Sequence, residues 1–162
     1  MVIKFFAGIG TLLVIGAGCS LFSPSLEEKL VGTWGVKMEF SERFKQTPEF
    51  KSQEGMLQQV SETAKLELKS DKTFFQNFAI FQVEGRWEVK EKELHLYATK
   101  INGQSIEDIK KMMSPKDAAQ ADKPTRFRIS EDATTLEALD IQTAQGGNSG
   151  LKVFWKKKAT AK

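Results

Sequence analysis

Residues 83–99 have the sequence VEGRWEVKEKELHLYAT, in which apolar and polar side chains alternate along two short segments. Val83, Gly85, Trp87 and Val89 form the first apolar series, and charged residues lie between them. After a charged turn, the alternation resumes over residues 94–99. A period of two places successive side chains on opposite faces of a strand. The segment therefore predicts two antiparallel strands that share one apolar face.

The same alternation recurs along most of the chain. The full set of predicted strands covers residues 33–40, 64–69, 73–81, 83–90, 94–99, 126–129, 136–138 and 151–155. Short antiparallel strands can bury one apolar face by closing into an up-and-down barrel, which also removes exposed sheet edges. We therefore expect an all-β protein built on an eight-stranded antiparallel barrel.

Two segments interrupt the alternation with signals for the start of a helix. Thr47 and Pro48 suit the N-cap and the first helical position between the first two strands. Ser105 and Ser114 repeat the capping pattern between the fifth and sixth strands. The barrel is therefore expected to have short helical insertions after strands 1 and 5.

The composition limits the chemistry that this chain can perform. Its 162 residues include 24 lysines and arginines against 21 aspartates and glutamates, and this small excess of positive charge does not indicate a nucleic-acid partner. A single cysteine excludes an internal disulfide, and a single histidine excludes the usual zinc sites and most nucleophile systems. His95 falls on the outward face of a predicted strand, so we expect it to be solvated rather than catalytic. No cofactor, metal site or enzymatic activity is expected.

The N-terminal segment has the layout of an export signal. Lys4 precedes an apolar run at residues 5–17, which is too short to span a bilayer, because a spanning helix needs about 20 residues. The tetrapeptide GAGC at residues 16–19 resembles the lipobox of bacterial lipoproteins, in which cleavage leaves a lipid-modified cysteine at the new N-terminus. Gly16 departs from the branched aliphatic residue that is usual there. An ordinary secretory signal is the alternative.

The lipobox resemblance implies a cellular location for the protein. Cys19 would carry acyl chains such as palmitate and anchor the protein to a membrane of the cell envelope. Ser20, rather than an aspartate, follows the cysteine, and this favours the outer membrane over the inner membrane. The implied divisions are a signal peptide (1–18), the lipidated cysteine with a short tether (19–25), the barrel (26–156) and a basic tail (157–162).

The order of the strands gives the predicted barrel two unlike ends. Long connections follow the odd-numbered strands, whereas tight turns lie at the end where the first strand begins. Trp34, Trp87 and Trp155 fall near the end with the tight turns, and small residues such as Gly85 and Ala98 fall toward the other end. An eight-stranded barrel is only wide enough for side chains or for one small ligand. We therefore expect a base packed by the three tryptophans, with a cup above it.

Three segments are similar to bacterial lipocalin-like envelope lipoproteins. They are LVGTW at residues 30–34, LELKSDKTF at residues 66–74 and GRW at residues 85–87. The GTW motif resembles the G-x-W signature of lipocalins, which implies that Trp34 packs across a closed base. Lipocalins commonly bind small apolar molecules. They also place an arginine over this tryptophan, and Arg128 is the candidate for that role here.

The inward positions away from the base suggest a ligand cup. The expected lining residues are Met38, Phe40, Leu66, Phe78, Ile80, Gly85, Ala98, Phe127 and Val153. A lid would be formed by Leu57, Val60, Met112 and Met113. The same residues suit an ordinary dry core equally well. Two functions remain open: an envelope lipoprotein that binds a small hydrophobic molecule, and a solid-cored structural or accessory subunit that contacts another envelope protein.

Overall fold

The computed structural model describes residues 23–139 and 151–159. In chain order, the elements of these residues are α1 (Leu26–Leu30), β1 (Gly32–Glu39), α2 (Glu42–Lys45), α3 (Pro48–Thr63), β2 (Lys65–Leu68), β3 (Thr73–Phe78), β4 (Phe81–Lys90), β5 (Glu93–Ile101), β6 (Gln104–Ser105), α4 (Ile106–Lys110), α5 (Pro115–Ala121), β7 (Thr125–Ile129), β8 (Thr135–Ala138) and β9 (Lys152–Lys157). The predicted signal peptide, Cys19 and the last three residues of the predicted tail lie outside the described residues.

The strands form an antiparallel sheet that closes on itself. Their order is β4-β3-β2-β1-β9-β8-β7-β5, and β4 also pairs with β5, so that eight strands complete a barrel. The short strand β6 adds a hairpin beside the last residues of β5. The helices α2 and α3 follow β1, and α4 and α5 follow the β5–β6 hairpin. The predicted eight-stranded antiparallel barrel with helical insertions after two strands is confirmed.

The two ends of the barrel differ in their connections. The base is the end where β1 begins at Gly32, and its tight turns cover residues 69–72, 91–92 and 130–134. The rim is the opposite end, and its described connections cover residues 40–64, 79–80 and 102–124. The rim therefore holds α2 to α5, and α3 packs on β1 and β3.

The densest part of the core lies toward the base. The largest fully buried side chains are those of Leu30, Trp34, Leu66, Leu68, Leu94, Leu136 and Trp155. A capping box between Ser25 and Glu28 starts α1, which places Leu30 in this core. Trp34 donates its indole N–H to the carbonyl oxygen of Leu30 at 3.0 Å. This hydrogen bond satisfies a buried donor and fixes α1 against the base of the barrel.

The third strand is shorter than its predicted range. β3 ends at Phe78, and the two residues Ala79 and Ile80 turn the chain into β4 at Phe81. Ala79 has a φ of 54°, a conformation for which hairpin turns prefer glycine or asparagine, and Ile80 is 81% exposed. The apolar sequence FAIF has none of the usual turn residues, so the alternation gave no reason to expect a turn there.

The first strand also ends before its predicted limit. β1 stops at Glu39, and Phe40 packs against Phe44 and Phe50, with ring centroids 5.8 Å and 5.2 Å away. Phe44 belongs to α2 and Phe50 to α3. These aromatic contacts hold the half-buried Phe40 against the two helices, and the strand ends one residue before it.

Candidate functional site

Two of the residues expected to line a cup lie beyond the ends of their strands. Phe40 belongs to the aromatic cluster beside α2 and α3, and Ile80 is the exposed tip of the β3–β4 turn. The assignment of Ile80 to the cup is wrong, because β3 ends before it and its side chain is exposed, whereas the assignment of Phe40 stays a prediction. The remaining lining candidates lie on strands with inward-facing positions.

Inward residues near the rim form a half-buried apolar ring. We call them the rim ring, and they are Met38, Phe78, Val83, Ala138 and Val153. Leu66 and Phe127, two further predicted lining residues, are buried in the core, and Gly85 is buried beside the backbone of β5. The residues of the rim ring therefore face the interior and still contact solvent.

A contact across the bore joins one member of the rim ring to a buried tryptophan. The ring centroids of Phe78 and Trp155 are 6.3 Å apart. Phe78 belongs to β3 and Trp155 to β9, and β2 and β1 lie between these strands in the sheet. The contact therefore spans the interior, and only 2% of Trp155 is exposed. This contact joins the rim ring to the buried core.

One polar residue, which was not among the predicted lining residues, also projects into this interior. Gln76 pairs with Leu66 on β2 and with Val83 on β4, and both of these neighbours face inward. Directly opposed residues of antiparallel strands project from the same face. Gln76 is half-buried, and its side-chain amide has no hydrogen bond to the described residues. The signal was present in the sequence as a break in the apolar series between Phe74 and Phe78.

The three tryptophans occupy different surroundings. Trp34 and Trp87 donate their indole N–H groups to backbone carbonyls near the base, those of Leu30 and Lys69, each at 3.0 Å. Trp155 instead contacts Phe78, whose strand ends at the rim. The indoles thus extend from the base to the middle of the barrel.

A lysine lies over Trp34 in the place where the lipocalin resemblance suggested an arginine. The side-chain nitrogen of Lys157 is 5.9 Å from the centroid of the Trp34 ring and donates to the carbonyl oxygen of Lys29. Burial lowers the pKa of Lys157 from its usual value. Arg128 points outward and pairs with Glu137 at 3.1 Å, so its candidacy was wrong. Its position on β7 places it on the face opposite to Phe127.

A cleft of about 370 Å³ opens in the barrel wall beside Ala98. On the edge of β5 that faces away from β4, β7 pairs only as far as Leu96 and β6 pairs only from Lys100. Residues 97–99 of this edge therefore have neither strand as a partner. The cleft is bounded by α4 and by the end of α5, and Lys110 joins these helices through ion pairs with Glu107 and Asp122. Ala98 therefore borders this side cleft.

The four residues expected to form a lid divide between two segments. Leu57 and Val60 are half-buried on α3, which packs on β1 and β3. Met112 and Met113 lie between α4 and α5 and are exposed. The structure thus places all four in rim connections.

His95 lies in a charged cluster on the outside of the barrel. It pairs with Glu88 on β4 and with Arg126 on β7, and its Nε2 atom is 3.2 Å from a carboxylate oxygen of Glu93. Only 14% of its side chain is exposed, so the expected solvated position was wrong. Hydrogen bonds from Lys90 and then from Tyr97 lower the pKa of Glu88.

Residues 23–139 and 151–159 contain no group of three or more histidine, cysteine, aspartate or glutamate side chains placed to hold a metal ion. No helix within these ranges has the length and apolar character needed to cross a membrane. The candidate site is the rim ring with Gln76, where inward apolar side chains and one amide are half-buried.

No protein-family model matches the chain, and no curated protein matches it. The chain is similar to the crystal structure of a DUF4847 family protein from Bacteroides vulgatus, at 13% sequence identity and a TM-score of 0.49. The match covers 85% of this chain and 100% of the other. A likeness of this degree does not bear on function.

Proposed function

We propose that the protein is a lipid-anchored envelope lipoprotein whose barrel binds a small hydrophobic molecule at the rim. The apolar rim ring supports this proposal, because its inward residues are half-buried while most inward residues nearer the base, such as Trp34 and Leu94, are fully buried. Apolar side chains that face an interior and still contact water are stabilised when an apolar ligand covers them. Binding of this kind requires no catalytic group.

The anchor follows from the resemblance of residues 16–19 to a lipobox. If Cys19 is acylated, residues 20–25 separate the lipid from α1, and they can span about 20 Å when extended. Because α1 closes the base, this tether would hold the base toward the membrane and the rim away from it. Ser20 after the cysteine favours the outer membrane.

Binding can be tested on a chain that comprises residues 20–162. Every buried residue of the described core lies between Leu30 and Trp155, so this chain retains that core. Titration with the apolar fluorescent probe phenylnaphthylamine should give saturable, one-to-one binding. Absence of saturable binding to the folded chain would refute the proposal.

A matched pair of substitutions locates the bound probe. Val153→Trp puts an indole into the rim ring, and Phe154→Trp puts one on the outer face of the same strand. The first should weaken probe binding about tenfold, equivalent to about 1.4 kcal/mol, and the second should not. Equal affinities for the two variants would place the probe elsewhere.

An accessory subunit is the second candidate, and the surface of the rim favours it. The exposed large apolar residues of the described chain are Met56, Ile80, Phe81, Met112 and Met113. Four of them belong to rim connections and Phe81 begins β4 at the rim, and exposed apolar surface often marks a protein contact. Native mass spectrometry of protein purified from its envelope tests this function. A partner of fixed mass should be lost with the double substitution Ile80→Ser, Phe81→Ser and retained with Lys92→Ser at the base.

A further inference from the structure

The orientation of Gln76 is fixed by its neighbours in the sheet. Its partner on β2 is Leu66, which has no exposed surface and lies in the core. Its partner on β4 is Val83, a member of the rim ring. Since opposed residues of antiparallel strands share a face, the Gln76 side chain projects into the barrel. Phe78, two residues further along β3, lies nearer the rim.

The amide of Gln76 has unused hydrogen-bonding capacity. A glutamine side chain offers two N–H donors and a carbonyl acceptor. The part of the chain that the structure describes supplies no partner to this amide, and the residue is half-buried. Water can hydrate the amide while the rim is open. A hydrocarbon bound in the rim ring would displace that water without replacing its hydrogen bonds.

The surroundings of Gln76 also constrain the charge of a ligand. Inward positions of the described strands between this level and the rim have no charged side chain. A ligand with a charged head would lose hydration there without gaining an ion pair. An uncharged head can exchange hydrogen bonds with the amide, and its apolar body can cover the rim ring.

We infer that the ligand is an amphiphile with one uncharged hydrogen-bonding head, which the side-chain amide of Gln76 binds. The inference rests on the proposed binding function and adds the class of ligand. Its head is an amide, an alcohol or a similar neutral group. Gln76 is then the residue that discriminates such a molecule from a plain hydrocarbon of the same size.

The test compares two ligands of similar shape, naphthamide and ethylnaphthalene, as competitors of phenylnaphthylamine on the chain of residues 20–162. The measured quantity is the ratio of their dissociation constants within each protein. The difference in hydrophobicity between the two ligands is the same for every protein, so it cancels when the ratios of the variant and the wild-type protein are compared. Gln76→Leu should shift the ratio toward ethylnaphthalene by about fivefold or more, because the variant has no amide to leave unpaired.

Asn77→Leu is the matched control. It removes an amide from the adjacent position of β3, which projects from the outer face. This variant should keep the ratio of the wild-type protein. If Gln76→Leu also keeps that ratio while every protein binds the probe, the inference is overturned and the proposed function stands. If none of the folded proteins binds the probe, both are overturned.

A measurement on the unaltered protein covers the case in which Gln76→Leu does not fold. The side-chain amide resonances of Gln76 in nitrogen-15 NMR spectra should shift more on addition of naphthamide than on addition of ethylnaphthalene. Equal shifts with the two ligands would overturn the inference.

Discussion

The backbone carbonyl oxygen of Tyr97 lies 2.0 Å from the point that a β-carbon on Gly85 would occupy. The ring of Phe74 is 2.7 Å from the same point. The pairing of β4 and β5 shifts its register between Glu84 and Gly85, which is a β-bulge. The absence of a side chain at position 85 therefore allows the pairing that closes the barrel.

Gly85→Ala should destabilise the protein. The added methyl group would meet backbone that cannot move without disturbing the β4–β5 pairing, and overpacking of this kind costs about 1–3 kcal/mol. Gly55→Ala is the control, because no atom lies within 4 Å of its added β-carbon and the residue is in α3. That change should stabilise the protein by about 0.5–1 kcal/mol. Urea unfolding followed by tryptophan fluorescence measures the stability of both variants. A Gly85→Ala protein as stable as the wild type would contradict the role of Gly85.

Asp132 should contribute stability that disappears in acid. Hydrogen bonds from Ser130 and then from Thr134 lower the pKa of Asp132 from 3.8 to about 2. The folded state therefore binds this proton less tightly than the unfolded state, and the stabilisation is complete above about pH 4 and is lost toward about pH 2. Asp132→Asn should lower the melting temperature at neutral pH, and the difference should vanish near pH 2. Glu131→Gln, on the same turn, is the control, and a difference that stays constant with pH would contradict the assignment.

The closed barrel could be predicted because its strands obey a simple rule. Residues such as Trp87 and Leu96 alternate with charged or polar neighbours, and this pattern requires an apolar interior. The helical insertions were predictable for a similar reason, because Thr47 and Ser114 accept hydrogen bonds from the first turns of their helices as the capping signals indicated.

The details of the site depend on contacts between distant residues. The turn at Ala79 and Ile80 has no local signal and is stabilised by the pairing of β3 with β4. Lys157 was assigned to a basic tail, yet β9 extends far enough to place it over Trp34. Gln76 is different, because the alternation that places Phe74 and Phe78 inward also places Gln76 inward.

Lys157 should make stability rise at alkaline pH. Burial lowers its pKa below 10.5, so the unfolded state binds this proton more tightly than the folded state. Stability therefore increases as the pH rises through the interval between the folded pKa and 10.5. Lys157→Met should lack this increase, whereas Lys156→Met, at the adjacent exposed position, should retain it. Urea midpoints from neutral pH to about pH 10 measure the effect, and the same pH dependence in both variants would refute the assignment.

Phe78→Ala should open the bore above Trp155. The loss of a half-buried ring that packs across the barrel should cost about 2–3 kcal/mol, less than the loss of a fully buried phenylalanine. Water would then reach the Trp155 indole, so the tryptophan emission should shift to the red and become more sensitive to acrylamide, while phenylnaphthylamine should bind more tightly. Phe75→Ala, on the outer face of the same strand, should change neither the emission nor the probe affinity. Unchanged emission in Phe78→Ala would show that another group covers Trp155.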